Sequence, residues 1–378
     1  MHYLDYASTC LVVKYPQRLY RDVLGEGYFF NPNANYAYKE KKLLAEAENR
    51  VKKAIGAKGG KVVFGGTSSQ LIENLVMAIR MRTDWNEMSY QFYFSPYEHD
   101  SIEHFNESEY YEWDSFYVDS LKSIEMAIED CSIDNIVPFV FWQGVQNITG
   151  EVFPVKQIGE LIHEYNGFYI CDGTSQIGHI SIEPNIDEWC DFWCCSGHKA
   201  GTELGIGCCW VSDRLDKWLN GFKLHGTPNL AGACAMADAV TDACDKYKLG
   251  EKIIHYGELQ NCLIDYLVRN RIDFQLVPDD NTYPSGHEFT FAINAIRLPG
   301  FNADALQQFL ASKQVYISIG GSACAERHDY RVLENGYNLT KQEANEVIRV
   351  SFGEDSTAEE VKALVKNICE FKKIYLDN

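Results

Sequence analysis

Two short apolar runs end on residues suited to covalent chemistry. Phe192-Trp-Cys-Cys-Ser-Gly-His-Lys stops at Lys199, and Phe168-Tyr-Ile-Cys-Asp stops at Asp172. Each run is too short for a helix and has the make-up of a buried strand that halts at a cleft. In open α/β sheets ligands collect at the carboxyl ends of the strands. A lysine and an aspartate delivered there together suit pyridoxal phosphate, which needs an amine for its Schiff base and a carboxylate to keep its ring nitrogen protonated. Either residue alone reads as an ordinary loop cation or strand cap. The pair, with Ser196 and His198 beside the lysine, reads as a cofactor site.

Other residues fit the same chemistry. Gly65-Gly-Thr-Ser-Ser, at the start of a predicted helix, combines backbone N–H groups, the hydroxyls of Ser68 and Ser69 and the positive end of a helix dipole, which together cradle a phosphate. His99, in Tyr97-Glu-His-Asp after a predicted strand, is the residue type whose charge changes near neutral pH. Arg349, in Ile348-Arg-Val-Ser-Phe-Gly, offers a bidentate fork for a carboxylate. Cys324 sits in Gly320-Gly-Ser-Ala-Cys-Ala-Glu-Arg-His-Asp, a polar, glycine-led loop, whereas most other cysteines lie in apolar runs or helices. It is the candidate for an accessible nucleophile, and Arg327 and His328 are cations that favour a thiolate where they face it.

These motifs carry a resemblance that spans nearly the whole chain in preserved order. Asp172-Gly-Thr-Ser and Ser196-Gly-His-Lys resemble signatures of the class V aminotransferase superfamily, and Gly321-Ser-Ala-Cys resembles the loop of its NifS-like cysteine desulfurases. The resemblance implies an aspartate-aminotransferase-like fold of type I, with a mainly parallel seven-stranded sheet and a smaller α+β domain. It implies pyridoxal phosphate held by Lys199, Asp172, Ser68, Ser69, Ser196 and His198, with His99 stacked on the ring as proton shuttle. Asn147, in Val145-Gln-Asn-Ile-Thr-Gly, falls beside cofactor and substrate, Arg349 takes the α-carboxylate of L-cysteine, and Cys324 receives its sulfur. Thr227, in His225-Gly-Thr-Pro, would reach the phosphate of a second subunit, making the protein a homodimer. The implied product is alanine, with the sulfur passed to an acceptor protein. Some positions depart from the pattern. Ser175 stands where the family has Gln, with Gln176 one place later, so the contact to the phenolic oxygen falls to one of these two. Leu224 replaces an arginine, and Trp218-Leu-Asn-Gly-Phe-Lys replaces a glycine-rich stretch. Alternative activities are a selenocysteine lyase, another C–S lyase or an aminotransferase. A non-catalytic sulfur-transfer partner is the alternative of another class.

The elements that position these residues alternate. Leu43, Ala47, Val51 and Ile55 mark a helix stopped by Gly56. Strands are expected at 61–64, 91–95, 136–142, 168–171, 192–195 and 206–211, with a helix over 155–165. Such alternation implies a mainly parallel sheet covered on both faces. After about residue 250 a long helix, an alternating strand over 288–296, a helix over 303–312 and a strand over 315–318 follow. A final helix opens on the capping pair Thr357 and Glu360. The expected division is 10–250 as the cofactor-binding α/β domain, and 1–9 with 251–378 as the smaller α+β domain carrying the Cys324 loop.

At 378 residues the chain can bury a large core. Its net charge of −20 argues against a nucleic-acid or anionic-membrane surface, which needs clustered Lys and Arg. Thirteen cysteines, an odd count scattered through apolar segments with no Cys-x-x-Cys, fit a reducing cytoplasm and exclude a zinc ribbon. No apolar run approaches the roughly 20 residues of a membrane span.

Overall fold

Phe168–Asp172, Phe192–Ser196 and Gly207–Val211 are apolar along nearly their whole length and buried along all of it. Such segments belong at the middle of a sheet covered on both faces, because neither face can be left to water. The computed structural model, which describes every residue except 19, 87–88, 103–114, 134–135, 279–287, 322–329 and 378, places them there. The sheet has seven strands, in chain order β1 (Lys61–Gly65), β2 (Tyr90–Phe94), β3 (Ser115–Tyr117), β4 (Val137–Phe141), β5 (Phe168–Asp172), β6 (Phe192–Ser196) and β7 (Gly207–Val211). Their spatial order is β1-β7-β6-β5-β4-β2-β3. All neighbours are parallel except β7, which runs antiparallel to both β6 and β1. The carboxyl ends of β1, β2, β4, β5 and β6 therefore share one edge.

Helices α1 (Tyr38–Ala54), α2 (Ser68–Asn86), α3 (Leu121–Ile133), α4 (Val155–Glu164) and α5 (Leu230–Ala243) belong to the same unit. Leu71, Ile72, Leu75, Val76 and Ile79 of α2 pack with Phe92, Phe94, Phe139, Phe141, Phe168 and Phe192 of the strands. Each such side chain contributes about 1.5–3 kcal/mol of burial. A methyl group at Gly159 of α4 would fall 1.7 Å from the Trp189 carbonyl oxygen, so only glycine lets that helix lie so close.

The chain divides into two units, 12–144 with 154–246, which carries this sheet, and 1–11 with 145–153 and 247–378. The second holds an antiparallel sheet in the order β8 (Gln275–Val277), β9 (Ile293–Arg297), β11 (Val347–Ser351), β10 (Ser318–Ile319). It also holds α7 (Ala303–Ser312), α8 (Ala358–Tyr375) and all but the first residue of α6 (Lys246–Arg269). The expected capping box is formed, Thr357 accepting from the Glu360 N–H and Glu360 from the Thr357 N–H. Segment 145–153 belongs to this unit because Glu151–Val152 pairs with Glu288–Phe289, and because Thr149 Oγ1 and Tyr337 Oη lie 2.8 Å apart.

Two expectations need correction. The strand expected over 288–296 is two strands, Glu288–Phe289 and β9, because the chain turns at 291–292, where Thr290 Oγ1 accepts the Ala292 N–H at 3.2 Å. The strand expected over 315–318 likewise splits into Val315–Tyr316, which pairs with His2–Tyr3, and β10.

Candidate active site

In the α/β unit, β5 and β6 are parallel neighbours with Asp172 opposite Cys194. Asp172 thus closes one strand, while β6 runs on to Ser196 and into the 3₁₀ turn Gly197–Lys199 on the same edge. That turn is tightly built. Ala200 N and Thr202 N both donate to Gly197 O at 2.8 and 3.0 Å, and Lys14 N and Tyr15 N donate to Gly201 O at 2.8 and 2.9 Å. A Cβ at residue 197 would sit 2.3 Å from Thr202 Oγ1, so the turn that carries Lys199 requires glycine there. Burial, together with the Lys199 charge, pushes the His198 imidazole down to about 4. That ring is neutral at neutral pH.

Asp172 is 6% exposed, and its Oδ1 accepts the Thr174 N–H at 2.9 Å. Among the described residues no group hydrogen-bonds its Oδ2, and the Thr174 hydroxyl is buried without a partner. Two strands from β6, on the far side of β7, β1 leads through Gly66 and Thr67 into α2. Ser68 N donates to Ser196 Oγ at 3.0 Å, and the two hydroxyls lie 2.7 Å apart. The start of α2, with Ser69 exposed in its first turn, is thereby fixed beside the end of β6. A carboxylate with one oxygen unengaged, an orphaned hydroxyl, a helix N-terminus with two serines and a lysine share one sheet edge. This donor set fits pyridoxal phosphate, a ring base carrying a phosphate and an aldehyde.

His99 follows β2. Its Nδ1 accepts the Ser101 N–H at 3.1 Å and lies 3.0 Å from Ser101 Oγ, so the neutral ring carries its proton on Nε2. The buried Glu98 beside it accepts from Ser95 Oγ at 2.6 Å and from Gln143 N at 2.9 Å, tying the segments after β2 and β4 together. Sequence reasoning gave Glu98 no role, since the partners that define it come from separate elements. Ser175 and Gln176 are both buried. Gln176 Oε1 accepts from the buried Trp193 indole at 3.1 Å, and Ser175 is the residue left in the family's place. Thr227 is exposed and accepts from Asn31 Nδ2 at 3.0 Å, while Asn33 Nδ2 donates to Gly226 O at 2.9 Å.

In the α+β unit, β11 carries Arg349, 3% exposed. Its Nη1 donates to Asn147 O at 2.9 Å, and its Nη2 to Asp5 Oδ1 at 2.8 Å and Ser8 Oγ at 2.5 Å. Its Nε is buried without a partner. The contact to Asn147 is through the backbone, and the Asn147 side chain accepts from Gln146 Nε2 at 3.2 Å. Asp5 and Ser8, which hold the Arg349 guanidinium, carry no signal in the sequence. Cys324, Arg327 and His328 lie outside the described residues. Among the described cysteines none is in a disulfide, and among the described residues no cluster of ligands for a metal ion occurs. Burial pushes the Cys171, Cys190, Cys194, Cys195 and Cys209 thiols far up, which keeps them protonated and unreactive.

Strand order defines an α/β enzyme scaffold, and the candidate residues gather at the carboxyl edge of its sheet. The chain belongs to the aminotransferase class-V family, whose pattern it matches over residues 2–364 and whose members are in general pyridoxal-phosphate enzymes. It is 23% identical to the cysteine desulfurase IscS of Dictyoglomus turgidum, over 95% of this chain and 91% of that one. A solved NifS-like protein superposes with a TM-score of 0.81 at 18% identity, covering 99% of this chain and all of the other. The apo cysteine desulfurase of Thermococcus onnurineus NA1 superposes with a TM-score of 0.75 at 20% identity, covering 98% and 94%. At these identities the structures speak for the fold. Among the described residues no helix is long and apolar enough to cross a membrane.

Proposed function

We propose that this protein is a pyridoxal-phosphate-dependent cysteine desulfurase that converts L-cysteine to L-alanine and retains the sulfur as a persulfide on Cys324. The observation that carries the reading is the arrival of Asp172 and Lys199 at neighbouring parallel strand ends, with the Ser68–Ser196 hydroxyl pair fixing a helix N-terminus beside them. The cofactor, when bound, supplies an electron sink for bond-breaking next to the amino-bearing carbon.

The chain's own groups supply the rest. Lys199 anchors the cofactor and takes the Cα proton. Asp172 holds the ring nitrogen protonated through its unengaged Oδ2. The start of α2, with Ser68, Ser69, Ser196 and neutral His198, receives the phosphate. Ser175 serves the phenolic oxygen, with Gln176 behind it. His99 relays protons through Nε2. Arg349 and Asn147 receive the substrate carboxylate. The Cys324 thiolate attacks the substrate sulfur, forming an S–S bond as the Cβ–S bond breaks. The electron pair stays with carbon, which a proton completes as the methyl of alanine. A persulfide on a polar loop is suited to delivery to an acceptor protein. The exposure of Thr227 supports a homodimer in which it meets the second subunit, and the free thiols support a cytoplasmic setting.

Mass spectrometry of the holo protein after exposure to L-cysteine tests this directly: one sulfur atom is expected on the peptide containing Cys324. Cys324→Ala keeps the cofactor's visible absorbance but loses both alanine and sulfide production, and Lys199→Ala loses the absorbance as well. Undiminished turnover in Cys324→Ala removes that thiol from the reaction and leaves a C–S lyase of another kind.

A further inference from the structure

On the α/β unit a hollow of about 570 Å³ lies where the ends of α1 and α5 meet residues 181–184. Its lining includes three cations, Arg50, Lys53 and Lys246, and no carboxylate. Arg50 Nη2 pairs with Asp238 Oδ1 at 2.7 Å, at the margin of the hollow. Lys53 and Lys246 have no acidic partner among the described residues. Ile55, Ile182 and Pro184 make an apolar wall.

The bland account is that the lysines complement the helix carbonyl ends. Each such end is worth about half a negative charge. At the wall itself the two ends and Asp238 sum to about two negative charges against three positive ones, and Glu183, Asp242 and Asp245 are the acidic chain neighbours of the lining residues. An acidic protein has no need of such a concentration for solubility, and unpaired cations around a concave surface are a place for an anion. Lysine ammoniums are point-charge phosphate binders, and Arg50 adds a planar fork once it turns from Asp238. The volume lies within the range of small-molecule sites and exceeds what a bare phosphate fills, and the apolar wall asks for a body on the anion.

We propose that this hollow binds a small phosphate monoester with an apolar or aromatic body, of about nucleotide size. None of its lining residues belongs to the cofactor or substrate groups described above, so the inference stands apart from the desulfurase reading. The test titrates adenosine 5′-monophosphate into holo protein, whose own phosphate cradle is filled, by isothermal calorimetry, with inorganic phosphate and adenosine as the two halves. The expected result is saturable binding of the monophosphate that weakens with salt. Each half should bind at least about tenfold more weakly, and Lys53→Glu/Lys246→Glu should bind the monophosphate at least about tenfold more weakly, roughly one factor of ten in Kd. Both positions are exposed, and equal melting temperatures of variant and parent show that the fold is intact. Absence of saturable binding, equal binding by the double variant, or phosphate or adenosine binding as well as the ester would each overturn the proposal.

Discussion

Arg349 is buried with its donors directed into its own unit, and only Asp5 among its partners carries a countercharge. That arrangement makes Asp5 a positioning residue acting through the guanidinium that the proposed reaction uses. Two effects oppose each other. The carboxylate holds Nη2 in place, and it also offsets the charge that an incoming substrate carboxylate would meet. Asp5→Asn keeps an oxygen acceptor at the same place and removes the countercharge, so KM for L-cysteine is expected to fall by about 1 kcal/mol, roughly fivefold, with kcat unchanged. Asp5→Ala removes the tether too, and KM is expected to rise. Steady-state kinetics on the two variants separates the effects: equal KM shifts of the same sign would mean that Asp5 serves only the fold. Lys199, Asp172 and Arg349 stand out in the sequence as candidates because each ends or interrupts an apolar run with an ionisable group. Asp5 does not, since it stands 344 positions from its partner and nothing in its local pattern reports a buried ion pair.

At the scale of elements the same limit recurs. β5 and β6 read as strands because 168–171 and 192–195 are apolar runs too short for a helix, and the structure buries them throughout. β3 escaped notice, being three residues at the edge of the sheet, and the turn at 291–292 was hidden inside an apparently continuous alternation. Asp191, just before β6, shows what joins the elements. It is 1% exposed, and its Oδ2 accepts from Arg214 Nη2, His163 Nε2 and Tyr169 N at 2.6, 2.9 and 3.0 Å. Its Oδ1 accepts from Ser212 Oγ and Arg214 Nε at 2.9 and 3.1 Å. One carboxylate thereby ties α4, β5 and the turn after β7. Asp191→Ala orphans these donors and is expected to cost about 3–5 kcal/mol in urea unfolding. Burial alone would push the carboxyl up, but His163 and Arg214 outweigh it and hold it below the usual carboxylate range. The sign follows: with the folded value lowered, the unfolded chain binds the extra proton as pH falls. The Asp191 contribution is therefore complete above about pH 4 and shrinks below it. The stability gap between parent and variant should close on acidification. A gap that stays constant down to acid unfolding would show that the side chain acts by packing and not by charge.

Over the whole molecule, charge imbalance sets a condition that no single contact controls. The chain carries 54 acidic against 34 basic residues, a net charge of −20 at pH 7. Many of the ion pairs lie at the surface, such as Lys42–Glu46 at 3.8 Å and Arg269–Asp265 at 2.8 Å. Surface pairs of this kind are worth only about 0–1 kcal/mol each. Salt weakens those attractions and also the repulsion among unpaired carboxylates, so the two contributions predict opposite trends. With twenty uncompensated charges the repulsion dominates, because it acts over distances that salt screens most effectively. The Debye length falls from about 30 Å at 0.01 M to about 8 Å at 0.15 M ionic strength. Tm at pH 7 is accordingly expected to rise by a few degrees between those conditions, about 2–4 °C per kcal/mol for mid-sized domains and less for a chain of this length. Scanning calorimetry in sodium chloride reads the slope. A Tm that falls with added salt would mean that the ion pairs, and not the net charge, govern the electrostatics of the fold.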